Sequence, residues 1–435
     1  MTYEEAIEKL CVKTPMFQQV GSDAYKPGLV NTLHLDEYYG HPYRKFRSVH
    51  IAGTNGKGST AHTLAAILQA AGYRTGLYTS PHLTDFSERI RVNGIPINSD
   101  FVVNFLEKDS AFHDSLQPSF FELTTQMAFC YFAWCGVDVA VIETGLGGRL
   151  DCTNIIYPDL TVITNIGFDH TQFLGDTLAE IAAEKAGIIK PGVTAVIGED
   201  CAETRPVFEK RARECFSRTV FAQDNCKILS SSQTDDGKMI YETLDYPALV
   251  SELGGLCQQN NANTILYAVS ELQRSGWQLP ESAVRKGFAE VCEMTGLRGR
   301  WQTLRMNPRI ICDTGHNSHG LKYVADQLER LAAKPGSGRL RIVFGMVSDK
   351  DVDKVLEIMP KDAEWYFTQA SVKRAIPAES LRKMAAGFGC TGRVFGSVAE
   401  AVRTAKSEAA SDDIIYVGGS TFVVAELLSM PEFRE

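Results

Sequence analysis

Apolar strand-like runs alternate with amphipathic helical stretches along almost the whole chain, and few architectures accept that order. A helix between two strands carries the chain back across the sheet, so the strands lie parallel and the helices cover them. A first series runs from Arg47 to about residue 297, through Ser48–Ala52, Val137–Ile142 and Leu160–Thr164. A second begins at Arg309–Asp313 and continues through Arg341–Phe344, Glu364–Phe367 and Asp413–Val417. The Gly/Arg-rich stretch Thr295–Arg300 between them reads as a linker. A length of 435 residues exceeds one ordinary core, so two domains are expected, over 1–297 and 298–435. Residues 226–250 are polar, with alternating Ile240, Tyr241 and Leu244, and read as a peripheral hairpin.

Hydrophobic content of 44% and charged content of 22% fit a soluble globular protein. No apolar run is long enough to span a bilayer, so no membrane partner is expected. The N-terminal Met1–Glu5 is acidic and lacks the regions of a signal peptide, which predicts a cytoplasmic location. Eleven scattered cysteines, none in a C-x-x-C pair, read as reduced core thiols such as Cys130 and Cys312. A net charge of −9 argues against a nucleic-acid surface. It leaves room for anionic small ligands, which local cations and backbone N–H groups can hold.

Gly53-Thr54-Asn55-Gly56-Lys57-Gly58-Ser59-Thr60 follows a strand and precedes a helical pattern over Ala61–Ala71. Glycines let the backbone close around phosphate oxygens, and the helix start turns free N–H groups inward. Lys57 supplies charge for the outer phosphates, and Ser59 or Thr60 a hydroxyl near Mg²⁺. The spacing is a variant of the general motif, with Ile51 and Gly58 where Gly and Ser/Thr are usual. A plain strand-to-helix turn with a surface lysine is the alternative, and the strand and helix on either side favour phosphate.

The strand ending at Ile142 delivers Glu143, where ligands bind in such sheets, and a hard carboxylate there suits Mg²⁺. The next strand delivers Asp169-His170, although imidazole is an unusual Mg²⁺ partner. Thr177-Leu178-Ala179-Glu180 has capping-box form. Leu178, Ile181 and Lys185 follow on one face, which directs Lys185 inward. That lysine is either a snorkelling side chain or a functional amine whose pKa burial depresses.

Taken together these residues resemble the Mur ligase superfamily, and within it the folylpolyglutamate synthase/dihydrofolate synthase family. The matching segments are Gly53–Ser59, Thr79–Leu83 with Glu88–Ile90, Glu143–Asn154, Gly167–His170 and Ala183–Lys190. In the second series they are Asp313–Asn317, Asp349–Asp351 and Gly418–Ser420. Their order is the family's order over nearly the whole chain.

The resemblance implies a P-loop-containing, mostly parallel sheet domain followed by a smaller Rossmann-like α/β domain that carries glutamate ligation. It implies that Gly56, Lys57, Gly58 and Ser59, with the rest of the loop, hold the phosphates of ATP. Ser80, Glu143 and His170 would ligate magnesium, and Lys185 would be carbamylated. Asn261, Arg300 and Asp313 would contact the nucleotide. Leu150, Asp151 and Cys152, with Ser119, Phe120, Phe121 and Glu122, would border the pterin or folate. A looser match near Pro27, Gly28 and Leu29 would do likewise. Departures from the pattern are Cys257 for His, Gly315 for Ala, Ser318 for Pro and Cys152 for Ala, and they bear on fine specificity.

The implied reaction is acyl phosphate formation from a carboxylate and ATP, followed by attack of the glutamate amine. His316 would help orient the acyl phosphate or the amino acid. The implied partners are glutamate and dihydropteroate or folates, bound by a monomer. One rival is another Mur-family ligase acting on a nucleotide sugar, which would expect a further domain ahead of the phosphate loop, and the 52 residues that precede Gly53 are too few for one. The other is a nucleotide-binding switch protein without synthetic activity.

Overall fold

The computed structural model describes residues 1–14 and 28–434, so Pro27 lies outside the described residues. The chain divides into two compact units. The first comprises Met1–Ser231, Ile240–Glu252 and Gln258–Leu297; the second comprises Ser232–Met239, Leu253–Cys257 and Arg298–Glu435.

Eight strands build the sheet of the first unit: β1 (Arg47–Ala52), β2 (Thr75–Tyr78), β3 (Ile90–Val92), β4 (Ile95–Pro96), β5 (Val139–Glu143), β6 (Leu160–Ile163), β7 (Ala195–Ile197) and β8 (Thr219–Phe221). Their order is β4-β3-β2-β5-β1-β6-β7-β8. The run from β2 to β8 is parallel, and β3 and β4 add an antiparallel edge. β1 is central because all but its first residue is buried, and only a strand covered on both faces can be so apolar. It pairs with β5 on one side and β6 on the other, with Ile51 opposite both Glu143 and Val162. Three strand tips therefore open side by side at one edge, which is where ligands bind in doubly wound sheets.

The helix after β1 runs Lys57–Ala70 and starts earlier than the expected Ala61, because Gly56 turns left-handed (φ 79°) and ends the loop there. Its residues Ser59–Leu68 are all buried. A Cβ at Gly287 would lie 2.6 Å from the Ile67 amide nitrogen, so that glycine lets the Glu281–Ala289 helix approach closely. The expected peripheral hairpin forms a small sheet of β9 (Ile228–Gln233), β10 (Met239–Thr243) and β11 (Leu249–Ser251). Tyr241 is buried in it, whereas Leu244 is exposed.

The second unit holds β12 (Gln302–Met306), β13 (Arg309–Asp313), β14 (Leu340–Phe344), β15 (Glu364–Phe367), β16 (Gly392–Val394) and β17 (Ile414–Gly418). Their order is β12-β13-β17-β14-β15-β16, with β12 antiparallel and the others parallel. Ile311, Phe344, Trp365 and Tyr416 belong to its core. The eleven cysteines are free, as expected, but they are not all core thiols: Cys152, Cys215, Cys312 and Cys390 are buried, while Cys201 and Cys226 are exposed.

Arg341 is buried on β14, and its Nε donates to Asp413 Oδ2 at 3.0 Å, with side chains 5% and 5% exposed. It also reaches Glu364, the Tyr366 hydroxyl and the Glu408 carbonyl. Removing one partner of a buried pair strands the other charge. Arg341→Met is therefore expected to lower the unfolding free energy of the chain by roughly 3 kcal/mol, read from urea denaturation.

Candidate functional site

Gly53 through Gly56 close the turn between β1 and the Lys57–Ala70 helix. Gly53 has φ 150°, and a Cβ there would lie 1.8 Å from Thr164 Oγ1. A Cβ at Gly56 would lie 2.1 Å from Asn261 Oδ1. Both positions demand glycine, because the backbone passes directly against side chains from the neighbouring elements. The helix itself offers no acceptor to the N–H groups of Lys57, Gly58 and Ser59, so these point into the turn as an anion cradle. Thr60 is the first to bond back, its N–H donating to the Gly56 carbonyl at 2.9 Å.

The tip of β6 locks the loop in place. The Thr54 amide donates to the Asn165 carbonyl at 3.0 Å, and the Asn55 amide donates to Asn165 Oδ1 at 2.9 Å. Thr164 Oγ1 donates to the Asn55 carbonyl at 2.6 Å. Thr54 Oγ1 donates to the Gly167 carbonyl at 3.1 Å. Behind the helix start, Gln258 Nε2 donates to Ser59 Oγ at 3.3 Å, and Asn261 Nδ2 donates to Gln258 Oε1 at 2.8 Å. Thr164, Asn165 and Gln258 escape a reading of the sequence, because none belongs to the glycine loop. The one available signal is the Asn-Ile-Gly run at the end of β6.

Lys185 lies in the last turn of the Leu178–Ala186 helix, which Thr177 and Glu180 start with a reciprocal capping box. It is 4% exposed, and its Nζ donates to the Gly53 carbonyl at 2.8 Å. The inward face read from the sequence thus brings an amine against the floor of the glycine turn. Burial, with the Lys57 cation adding to it, lowers the Lys185 pKa to about 7. Asp169 and Asp151 oppose that shift. Lys57 is the first residue of its helix, with Nζ 3.3 Å from the Thr54 carbonyl.

Glu143 is the last residue of β5 and is buried; its Oε2 accepts the Ser80 amide at 3.2 Å. Ser80 and Glu143 are therefore together. His170 caps the Thr171–Leu174 turn in a left-handed conformation, and its amide donates to Asp169 Oδ1 at 2.9 Å. Among the described residues no group of three or more His, Cys, Asp and Glu side chains stands ready to hold a metal. Ser80 and Glu143 bring a hydroxyl and a carboxylate to one place, hard donors of the kind that suit a divalent ion completing its shell with phosphate oxygens and water. Thr144 Oγ1, just past the tip of β5, and Thr60 Oγ1, near the start of the Lys57–Ala70 helix, are buried hydroxyls with no hydrogen-bond partner among the described residues.

Beyond Glu143 the chain turns through Gly145–Leu150 to Asp151, which is buried. Asp151 Oδ2 accepts the amides of Gly145 and Leu146, both at 2.8 Å. Burial raises the Asp151 pKa and outweighs the donors that lower it. Cys152 is buried beside it, which pushes its thiol far up. Leu150 is half-buried. Ser119 and Glu122 form a reciprocal capping box on the Phe120–Cys135 helix, so their polar atoms serve that helix start. Phe121 stacks with Tyr78 at 5.8 Å, and the Arg89 guanidinium lies 5.2 Å from the Phe120 ring centroid. Among the described residues a Cβ at Gly28 would meet nothing within 4 Å, and Leu29 occupies the N-cap position of the Val30–Tyr38 helix.

In the second unit Asp313 ends β13. Its Oδ2 accepts the Trp301 amide at 2.8 Å and its Oδ1 the Gly315 amide at 2.7 Å. Burial raises its pKa, against the Arg300 charge beside it. The His316 Nδ1–H donates to the Thr314 carbonyl at 3.0 Å, which fixes the ring. Asn317 caps the Ser318–Ala332 helix.

The family model described as Mur ligase middle domain matches residues 51–269, and the one described as Mur ligase, glutamate ligase domain matches 299–421. The dihydrofolate synthase/folylpolyglutamate synthase of Escherichia coli K12 is 35% identical over 394 residues, 88% of this chain and 86% of that protein. The structure of Escherichia coli FolC in complex with DHPP and ADP superposes with TM-score 0.82 at 31% identity, covering 100% of this chain and 98% of that one. The Yersinia pestis bifunctional folylpolyglutamate synthase/dihydrofolate synthase complexed with AMPPNP and Mn ion gives TM-score 0.80 at 30% identity, covering 98% and 97%.

Proposed function

The chain belongs to the Mur ligase family, in its dihydrofolate synthase/folylpolyglutamate synthase branch, and from that premise we infer that it is an ATP-dependent ligase adding L-glutamate to dihydropteroate and to the γ-glutamyl chain of tetrahydrofolate. One observation carries this reading in the structure: a buried amine, Lys185 Nζ, underlies a glycine cradle that fits phosphate. A switch protein needs the cradle alone. A carboxylate does not acylate an amine unaided, because oxide is a poor leaving group. Phosphorylation by ATP supplies a good one, and the glutamate amine then displaces phosphate.

The residues divide the work by position. The loop amides and Lys57 hold the phosphates and stabilise charge on the transferring group. Ser80, Glu143 and His170 are proposed to hold Mg²⁺, which when bound would neutralise phosphate charge; the bond from the Ser80 amide to the Glu143 carboxylate, which brings the two residues together, supports that assignment. Asn261, Arg300 and Asp313 are proposed to contact the nucleotide, and His316, with its ring fixed, to orient the incoming groups. Leu150, Asp151 and Cys152, with Ser119–Glu122 and Gly28–Leu29, are proposed to border the pterin.

Lys185 is proposed to carry a carbamate. Its depressed pKa supports this, since only the neutral amine attacks CO₂. A monomer is proposed as the working unit. Eleven free cysteines support a cytoplasmic site of action. No described helix is long and apolar enough to cross a membrane.

Mass spectrometry after incubation with ATP, Mg²⁺, glutamate and either acceptor tests the reading. A gain of one glutamate residue on each acceptor is expected. Nucleotide binding with no gain on either would favour the switch protein.

A further inference from the structure

His50 occupies the middle of the central strand β1, three residues before the glycine turn, and is 0% exposed. A histidine there is unexpected, because a fully covered strand favours apolar side chains. Its Nε2 lies 2.8 Å from Thr153 Oγ1. Thr153, also 0% exposed, donates its hydroxyl proton to Asp151 Oδ1 at 2.5 Å. A hydroxyl has one proton to give, so the His50 bond runs the other way, from Nε2–H to Thr153 Oγ1. The second ring nitrogen, Nδ1, is buried with no hydrogen-bond partner among the described residues, consistent with the proton resting on Nε2.

The string continues through Asp151. Its Oδ1 accepts both the amide and the hydroxyl of Thr153, and its Oδ2 accepts the amides of Gly145 and Leu146. Four donors fill the four lone-pair sites of a carboxylate. The Gly145 and Leu146 amides belong to the loop that leaves Glu143. A chain of hydrogen bonds therefore joins the sheet interior to the loop that carries Leu150, Asp151 and Cys152.

We propose that His50 is a positioning residue for acceptor binding, its ring setting Thr153, Thr153 setting Asp151, and Asp151 holding the Gly145–Cys152 loop in the shape that receives the pterin. The inference deepens the function proposed above and rests on its placement of the acceptor against that loop. The glycine cradle is braced by other groups, namely Thr164, Asn165 and Lys185. Loss of the His50 string should therefore fall on the acceptor and spare ATP. Burial and the Lys190 charge also keep the imidazole neutral, with a pKa of about 3, so the donor persists at every working pH.

Four variants of the full chain test this, with KM measured separately for tetrahydrofolate and ATP and with the unfolding midpoint recorded. His50→Leu and Thr153→Val each break the string, and each is expected to raise the tetrahydrofolate KM about tenfold, the size of one buried hydrogen bond. The ATP KM is expected to stay within about twofold. His50→Gln and Thr153→Ser keep a donor and an acceptor at those positions and should recover most of the loss at the same midpoint. Should His50→Leu fail to fold, the Thr153 pair decides alone. An unchanged tetrahydrofolate KM in folded Thr153→Val, or equal rises for tetrahydrofolate and ATP, would overturn the positioning role. Wild-type protein that adds glutamate to no acceptor would instead overturn the underlying function and the inference with it.

Discussion

Lys57→Ala is expected to lower ATP-dependent glutamate addition by on the order of 10³-fold in a chain that still folds. The side chain is only half-buried at the first turn of its helix, so its removal leaves no cavity. What is lost is a positive charge where phosphoryl transfer spreads negative charge. Incorporation of radiolabelled glutamate at saturating acceptor reads the effect. A second consequence follows from the neighbouring amine. The Lys57 cation helps hold the Lys185 pKa down, so its removal should raise the pH at which Lys185 loses its proton.

Lys185→Ala is expected to abolish turnover, by at least about 10³-fold, for a different reason. A neutral amine adds to CO₂ and releases a proton, so a buried cation becomes an anion under the glycine turn. With a folded pKa of about 7, about half the amines are neutral at pH 7 and about nine-tenths at pH 8. Carbamate formation should therefore strengthen from pH 6 to pH 8, seen as a carbonyl signal from ¹³C-labelled CO₂ that Lys185→Ala lacks. Near-normal turnover of Lys185→Ala would remove the carbamate from the mechanism.

The same shift bears on stability. The folded pKa lies below the unfolded one, so between about pH 7 and pH 10 the unfolded chain binds more protons at this residue. Unmodified Lys185 therefore makes the unfolding free energy rise with pH across that window, and Lys185→Ala should flatten the rise.

The alternation of strand and helix predicted both mostly parallel sheets, since a doubly covered strand such as β1 has little choice of partner surface, but not their antiparallel edges β3, β4 and β12. The glycine turn and the inward Lys185 were legible for local reasons: one is a spacing of residues, the other a helix face. The lock around the turn was not. Thr164, Asn165 and Gln258 act through bonds to loop atoms more than 100 residues away, and no local pattern marks such pairs. His50 reads as a misplaced polar residue until its bond to Thr153 is seen. The capping box of Ser119 and Glu122 is local, a Ser-x-x-Glu spacing ahead of an apolar helix.

Titration calorimetry with a non-hydrolysable ATP analogue is the most direct test of the cradle. Binding at a single site is predicted, strengthened by Mg²⁺ and lost in Gly56→Ala, whose methyl group would collide with Asn261. Folded wild-type protein that takes up no analogue with Mg²⁺ present, or a Gly56→Ala chain that binds it as tightly as wild type, would contradict the account.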